Sequence, residues 1–292
     1  MITFATSDML PKLQAIWVEC FGDSSAYVDF LFRILQRPEN MLVYLNSAGE
    51  PVSMLSFRPM SLRMAAKEYP AAYVYAVATT PDEQGKGFGS RLLAEANLLL
   101  AEQGFCASVL VPANAGLFGF YKKSGYETGF HVRRACIAAE LVPTVQTICT
   151  LAPTTLEKCY ALRECFFSDS TLFVNWGKPY LKAVTKDCRY TGGEILNVSW
   201  PGGKGFAVCH WQKDVLKVKE LAVPDSVLEG ALAALHLRYR AREYYLHLRA
   251  DAQTAVENTL LPFGMVKWYD KEYKQQLALQ TGRAAYMAHA LD

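Results

Sequence analysis

Hydrophobic residues in the first part of the chain follow two spacings. Over residues 9–21 and 26–35 they recur every three or four positions, which predicts two amphipathic helices. Four shorter apolar runs have the length and the Val, Leu and Tyr content of strands: residues 2–5, 41–45, 51–59 and 72–78. The sequence Asn46-Ser47-Ala48-Gly49 lies between the second and third runs and predicts a hairpin turn.

The pattern after residue 78 predicts a helix, a strand and another helix. Residues 89–103 carry leucines and alanines on one helical face, and Gly104 is placed to end that helix. Residues 106–111 form a continuous apolar run, which is typical of a buried strand. A short helix over residues 114–124 and a strand from Tyr126 onward complete the series.

A fainter copy of this order follows a linker at residues 140–153. The pattern there predicts a strand at 215–223, a helix at 224–241, a strand at 244–249, a helix at 251–261 and a strand at 263–269. A chain of 292 residues is also long enough for two cores. We therefore expect an α+β fold of two related domains, residues 1–140 and 141–292.

Composition narrows the class of protein. Hydrophobic residues make up 51% and charged residues 20%, as in a compact globular protein. The formal net charge is +2, from 30 basic and 28 acidic residues spread along the chain, so no basic surface for a nucleic acid is expected. Assembly into a homo-oligomer is left open by the sequence.

The cysteines and the N-terminus point to a reduced compartment. The eight cysteines never occur as C-x-x-C, and several lie in apolar runs, so we expect free packing thiols and no metal site. The N-terminus lacks the pattern of a secretion signal, and no run reaches the roughly 18 apolar residues of a membrane span. The expected location is the cytoplasm, without membrane partners.

A glycine-rich segment between the predicted strand 72–78 and the helix 89–103 carries the clearest chemical signal. It reads Gln84-Gly85-Lys86-Gly87-Phe88-Gly89. Glycines let backbone N–H groups approach a ligand closely, and the start of the following helix adds unpaired donors and a positive dipole end. This arrangement suits a diphosphate, whereas an ordinary tight turn would carry no ligand.

Two common phosphate loops do not fit this segment. It lacks the G-x-x-x-x-G-K-[ST] pattern, and the G-x-G-x-x-G spacing would need glycine at position 90, which is Ser90. The segment does resemble the Q/R-x-x-G-x-G/A signature of GNAT acetyltransferases. Further residues at the spacing of that family are Asn114, Tyr121, Gly125 and Tyr126.

The resemblance covers residues 73–126 and implies two tandem GNAT-like domains, each with a mixed, mostly antiparallel sheet flanked by helices. It implies acetyl-CoA as co-substrate. The backbone of Ala76, Val77 and Ala78 would pair with the pantetheine arm. The diphosphate would be held by Gln84, Gly85, Lys86, Gly87, Gly89 and Ser90. Asn114 would face the pantetheine or cap the following helix, and both roles are compatible.

The same resemblance implies direct attack of an amine on the thioester, with Tyr121 as the general acid toward the departing thiolate. A core tyrosine is the alternative interpretation of Tyr121. The strand 73–78 holds no carboxylate, so the base has to come from elsewhere. Candidates are Glu19, Asp23 and Asp29 through water, and Asp292, because the last ten residues are apolar enough to dock.

The second domain lacks the glycine turn. Val223-Pro224-Asp225-Ser226 stands in its place, and Leu261-Pro262 precedes Phe263-Gly264 where an acid would be needed. Tandem acetyltransferases of the enhanced intracellular survival type similarly combine an active and a degenerate domain. The expected function is acetylation of a primary amine on a small molecule or protein. The alternatives are a non-catalytic acyl-CoA-binding sensor and aminoacyl transfer from tRNA.

Overall fold

The computed structural model describes residues 1–144 and 148–288, which form two β-sheets with helices on their faces. The strands are β1 (Ile2–Phe4), β2 (Met41–Leu45), β3 (Pro51–Met64), β4 (Lys67–Thr79), β5 (Ala107–Leu110), β6 (Glu127–Thr128), β7 (His131–Ala138), β8 (Thr150–Pro153), β9 (Phe173–Asn175), β10 (Gly193–Trp200), β11 (Gly203–Gln212), β12 (Val215–Ala222), β13 (Glu243–Arg249), β14 (Thr259–Pro262) and β15 (Met265–Trp268). The α-helices are α1 (Leu10–Phe21), α2 (Ser25–Ile34), α3 (Phe88–Glu102), α4 (Leu117–Lys123), α5 (Leu156–Phe166), α6 (Gly177–Tyr190), α7 (Leu228–Tyr239) and α8 (Lys271–Ala278).

Each sheet contains one parallel pair among antiparallel neighbours. The first sheet has the order β1-β2-β3-β4-β5-β15-β6, and its parallel pair is β4 with β5. β9 also belongs to this sheet and pairs with residues 61–63 of β3. The second has the order β14-β7-β13-β12-β11-β10-β8, and its parallel pair is β12 with β13. The expected α+β class, with two mostly antiparallel sheets flanked by helices, is confirmed.

The two sheets exchange strands. β7 pairs with β13 and β14 of the second sheet, and β15 lies between β5 and β6 of the first. The chain segments cross where the N–H groups of Gly129 and Phe130 donate to the Gly264 carbonyl, at 3.0 and 3.1 Å. A Cβ at Gly129 would lie 2.7 Å from Val266, so this crossing requires glycine. The domain boundary at residue 140 stays a prediction. β7, which precedes residue 140, belongs to the second sheet, whereas β9 and β15, which follow it, belong to the first.

The helices divide the core into layers. α3 and α4 cover one face of the first sheet, where Leu92 and Leu100 pack against Val74 of β4. α1 and α2 cover the other face together with parts of the second half, so that Trp176 joins the same cluster as Leu13. α7 covers one face of the second sheet, and α5 and α6 cover part of the other. Because the two halves share one of these clusters, they pack as one body.

The prediction of a helix over residues 251–261 is wrong. This segment is irregular up to β14, and its polar side chains bind nearby backbone groups. Thr254 Oγ1 accepts from Val256 N at 3.1 Å, and Asn258 Nδ2 donates to Val256 O at 2.7 Å. Such local hydrogen bonds compete with helical ones. Asp251, at the start of the segment, is held instead by Arg249 at 3.0 Å.

Candidate active site

The first sheet has a gap beside its central strand β4, next to the glycine-rich segment. β5 pairs with β4 only at residues 71–73, so the rest of that edge of β4 has no strand neighbour among the described residues. Within β4, Ala76 has φ 53°, and Ala76 and Val77 together lie opposite Leu55 of β3. Such a two-against-one bulge bends a strand and re-aims its side chains. The result is a gap between β4 and β5.

The turn after β4 presents backbone donors to solvent. Gly85 and Gly87 have φ 78° and 81°, a left-handed conformation that favours glycine. A Cβ built on either residue would meet no atom within 4 Å, so the space beside the turn is open. No side chain caps α3, whose first N–H groups therefore stay available. The Gln84 side chain closes the turn by donating to Thr79 O at 3.1 Å.

A cavity of about 490 Å³ connects this turn with α4. Its lining is Val77, Thr79, Glu83, Gln84, Gly85, Gly87, Phe88, Gly89, Ser90, Leu117, Phe120 and Tyr121. The donors of the turn and the Tyr121 side chain therefore face the same space. The uncapped helix start, the left-handed glycines and the open strand edge fit a ligand with a diphosphate and a narrow arm.

Tyr121 is buried in α4, and its ring contacts Phe120 and Tyr126 at centroid distances of 5.0 and 6.0 Å. Its hydroxyl has no hydrogen-bond partner within the described part of the chain. Burial raises the pKa of Tyr121 to about 12. The phenol is therefore protonated at neutral pH and free to donate.

Seven of the predicted site residues line the cavity: Val77, Gln84, Gly85, Gly87, Gly89, Ser90 and Tyr121. Four others do not belong to its lining: Ala76, Ala78, Lys86 and Asn114.

The four predicted residues that do not line the cavity have other contacts. Ala76 and Ala78 pack toward the core under α1 and α2, and the Ala78 carbonyl accepts from Ser53 Oγ at 2.8 Å. Lys86 Nζ pairs with Glu83 at 3.0 Å. Asn114 Oδ1 accepts from the backbone N–H of Leu117 at 3.3 Å, which is the capping contact expected for this residue.

Sequence reasoning missed five lining residues: Thr79, Glu83, Phe88, Leu117 and Phe120. Leu117 precedes Tyr121 by four positions on α4, so helical spacing would have placed the two on one face. Thr79 is held by Ser53, whose Oγ lies 2.8 Å from Thr79 Oγ1. No sequence pattern points to that contact.

The carboxylates considered as bases in the early helices do not line the cavity. Asp23 accepts from Trp17 Nε1 at 2.8 Å, and Asp29 accepts from Gln14 Nε2 at 3.1 Å. Asp292 lies outside the described residues. The chain before it is held firmly as far as Ala288.

The segment 283–288 runs beside β9 toward the central strand. Ala284 N donates to Asp251 at 3.0 Å, and Tyr286 N donates to Leu172 O at 2.7 Å. Trp176 Nε1 donates to Ala288 O at 2.6 Å, and the Trp176 ring lies edge-on to Tyr73 of β4 at 5.0 Å. The described chain therefore ends on the face of β4 that is opposite α3.

In the described part of the chain, no three His, Cys, Asp or Glu side chains converge as metal ligands. None of the helices described there combines the length and apolar content of a membrane span.

Comparison with known proteins identifies the class. Residues 2–129 match the acetyltransferase (GNAT) domain family. No curated protein matches the chain by sequence. Residues 2–129 are therefore a GNAT acetyltransferase domain, and the protein is an acetyltransferase enzyme. Enzymes with this domain use acetyl-CoA as donor and amines as acceptors.

Solved structures share the fold over both sheets. A GCN5-related N-acetyltransferase from Kribbella flavida superposes with a TM-score of 0.68 at 17% identity, covering 93% of this chain and 71% of that one. Eis1 from Mycobacterium abscessus gives 0.68 at 13% identity, covering 94% and 75%. A GCN5-related N-acetyltransferase from Anabaena variabilis gives 0.69 at 16% identity, covering 93% and 73%. At such identities the likeness concerns the fold alone, and it extends over both sheets.

Proposed function

We propose that this enzyme binds acetyl-CoA in the cavity beside α3 and transfers the acetyl group to a primary amine of a small molecule or protein. The observation that carries the proposal is the shared cavity, which joins the N–H donors of the turn to the Tyr121 hydroxyl. Backbone donors at the start of α3 would hold the diphosphate. The open edge of β4 near Ala76, Val77 and Ala78 would take the pantetheine arm as an added strand.

In the proposed reaction the amine nitrogen attacks the acetyl carbon, and the bond from that carbon to sulfur breaks. The electron pair of this bond leaves with the sulfur, to which Tyr121 donates a proton. With a pKa of about 12 the phenol is a weaker acid than a free tyrosine, so a hydrogen bond to the thiolate is the larger part of its contribution. The amine loses its proton to a base on the acceptor side.

Thiol release tests this function. Acetyl-CoA is mixed with a panel of primary amines, and free CoA is measured with a thiol reagent while the acetylated amine is identified by mass. The proposal expects amine-dependent CoA release. The rival function, a non-catalytic acyl-CoA sensor, expects calorimetric binding of acetyl-CoA without release for any amine. Absence of acetyl-CoA binding would contradict both functions.

Asp292 is proposed to position or deprotonate the amine, through its side chain or, where the chain ends there, its α-carboxylate. The support is the path of residues 283–288, which ends at Ala288 beside Trp176 and the face of β4. Asp292 follows Ala288 by only four positions in the sequence.

Deletion of Leu291 and Asp292 should lower kcat/KM by roughly 10²-fold, as expected for loss of a general base. Affinity for acetyl-CoA, measured by calorimetry, should be retained. Full activity of the shortened protein would reject the proposal.

A further inference from the structure

An acidic residue lines the cavity beside the turn whose donors would hold a diphosphate. Glu83 belongs to the lining of this cavity, whereas Lys86, three residues later, does not. Glu83 Oε2 pairs with Lys86 Nζ at 3.0 Å, and the two side chains are 25% and 53% exposed. The acidic member of the pair is therefore part of the proposed cofactor site, and the basic member lies outside its lining.

The backbone that follows Glu83 has N–H donors without acceptors. Glu83 N donates to Thr80 O at 2.9 Å. Gln84 N donates to Pro81 O at 3.2 Å. The N–H groups of residues 85–87 donate to no backbone or side-chain oxygen of the described chain. The free donors of the turn therefore begin two residues after Glu83.

Donors of this kind attract a carboxylate. Negatively charged side chains are favoured at the start of a helix, where N–H groups lack partners. This chain shows such a contact before α8, where Asp270 Oδ1 accepts from Glu272 N, two residues later, at 2.9 Å. Glu83 has the same sequence distance to the N–H of Gly85. Its carboxylate nevertheless accepts from Lys86 Nζ and from no backbone N–H of the described chain.

Stability of the fold does not explain the pair of Glu83 and Lys86. Ion pairs between side chains this exposed contribute little to stability, and salt screens them. What the pair does fix is the position of the Glu83 carboxylate, next to donors that are free to take it.

We propose that Lys86 is a positioning residue, which holds the Glu83 carboxylate away from the free N–H groups of the turn and so keeps the diphosphate position open. The proposal rests on the proposed function, because the diphosphate is that of acetyl-CoA. When the ammonium group is removed, the Glu83 carboxylate turns to these N–H groups and competes with the cofactor. The competing interpretation is a direct contact between Lys86 and the diphosphate.

Two substitutions and their combination test the proposal. Lys86→Gln should raise the Kd of acetyl-CoA about tenfold, because the cofactor must displace one charge-assisted hydrogen bond. In a chain that carries Glu83→Gln no carboxylate competes, so Lys86→Gln should there change the Kd by less than about twofold, the remainder being a screened surface charge. Lys86→Arg keeps the cation and should retain the wild-type Kd. Calorimetry at one ionic strength measures all four variants.

A direct contact between Lys86 and the diphosphate gives the opposite trend. Glu83→Gln would then release Lys86 toward the cofactor, and Lys86→Gln would weaken binding more in the Glu83→Gln chain than in the wild type. An effect of Lys86→Gln that is equal or larger in the Glu83→Gln chain would therefore overturn the proposal.

The control is Asp82→Asn, which removes an exposed carboxylate from the same turn but outside the cavity lining. Combined with Lys86→Gln, it should leave the tenfold loss of affinity in place, whereas Glu83→Gln should restore binding. Equal restoration by Asp82→Asn would assign the effect to the net charge of the turn and reject a specific role of Glu83.

Nuclear magnetic resonance of the free protein separates this proposal from the proposed function. The amide proton resonances of Gly85 and Gly87 should move downfield in Lys86→Gln, because their N–H groups then donate to the carboxylate. The same change made in the Glu83→Gln chain should not move them. Resonances that stay in place in both chains overturn the proposal whether or not acetyl-CoA binds. The expected movement in a protein that fails to bind acetyl-CoA supports the role of Lys86 and rejects the proposed function.

Discussion

The turn between β4 and α3 and the turn between β12 and α7 occupy matching positions, each after the strand that begins a parallel pair. The first turn has two left-handed glycines, open space beside them and an uncapped helix. The second has Pro224, which lacks an N–H, followed by Asp225. Asp225 Oδ2 accepts from Gln253 N at 2.9 Å, and Val227 and Leu228 are buried at the start of α7.

This comparison shows that the strand-turn-helix arrangement alone does not make an anion site. Both turns precede a helix whose dipole would favour an anion. In the second turn the Asp225 carboxylate already lies near the helix start, and apolar side chains fill the space around it. Free donors and free space, both of which the glycines supply in the first turn, decide which half can bind a diphosphate.

The largest expected effect comes from filling the first turn. Gly87→Glu places a side chain in the left-handed region and a negative charge beside the diphosphate position, so acetyl-CoA binding should weaken by at least about 10³-fold. Calorimetry measures the affinity, and circular dichroism checks the fold. Ser226→Glu, the matched change in the exposed part of the second turn, should leave the affinity unchanged. Wild-type affinity in Gly87→Glu would show that the cofactor binds elsewhere.

Tyr121→Phe should lower kcat by roughly 10²-fold with little change in acetyl-CoA affinity, because it removes the group that donates a hydrogen bond and a proton to the departing sulfur. Tyr126→Phe is the control, because the Tyr126 hydroxyl is bonded to Ser108 at 2.7 Å and its loss should affect stability rather than kcat. Steady-state kinetics of both variants gives the two kcat values to be compared. An unchanged kcat in Tyr121→Phe, where chemistry limits the rate, would leave Tyr121 a packing residue.

The pH dependence sharpens the role of Tyr121. A general acid acts while it is protonated, and the pKa of this phenol is raised to about 12 by burial. Its contribution to kcat should therefore persist through pH 10, where an unshifted tyrosine is already half ionised, and be lost only as pH rises through about 12. Measuring kcat at saturating amine between pH 8 and 10.5 tests this. A fall with an apparent pKa near 10 that is absent in Tyr121→Phe would disagree with the burial described here.

The smallest effect is expected in the second turn. Asp225→Ala removes the acceptor of the Gln253 N–H and should lower the free energy of unfolding by about 1 kcal/mol, the usual net value of one hydrogen bond. Urea unfolding measures the change. Acetyl-CoA affinity should not respond, because this turn has no part in the proposed cofactor site. A weakened affinity would mean that the two turns are not independent.

Much of the first half was predictable because its signals are local. Helical spacing identifies α1, α2 and α3, and the Gln84 to Gly89 motif identifies the turn whose residues line the cavity. Leu117 and Phe120 were missed although Tyr121 on the same short helix was found. The segment 251–261 was mispredicted because its Thr and Asn side chains bind the backbone, a competition that apolar spacing does not report.

The sequence by itself determined the elements, their order and the chemistry of the two turns, since glycine, proline and side-chain periodicity act over a few residues. Only the tertiary structure decided that β7 and β15 exchange sheets, because an antiparallel strand of suitable pattern can pair at either sheet and the crossing at Gly129 and Gly264 fixes the choice. It also decided that His247 of β13 and Arg134 of β7, far apart in the chain, lie side by side. Their neighbourhood depends on the register of the exchanged strand β7 against β13.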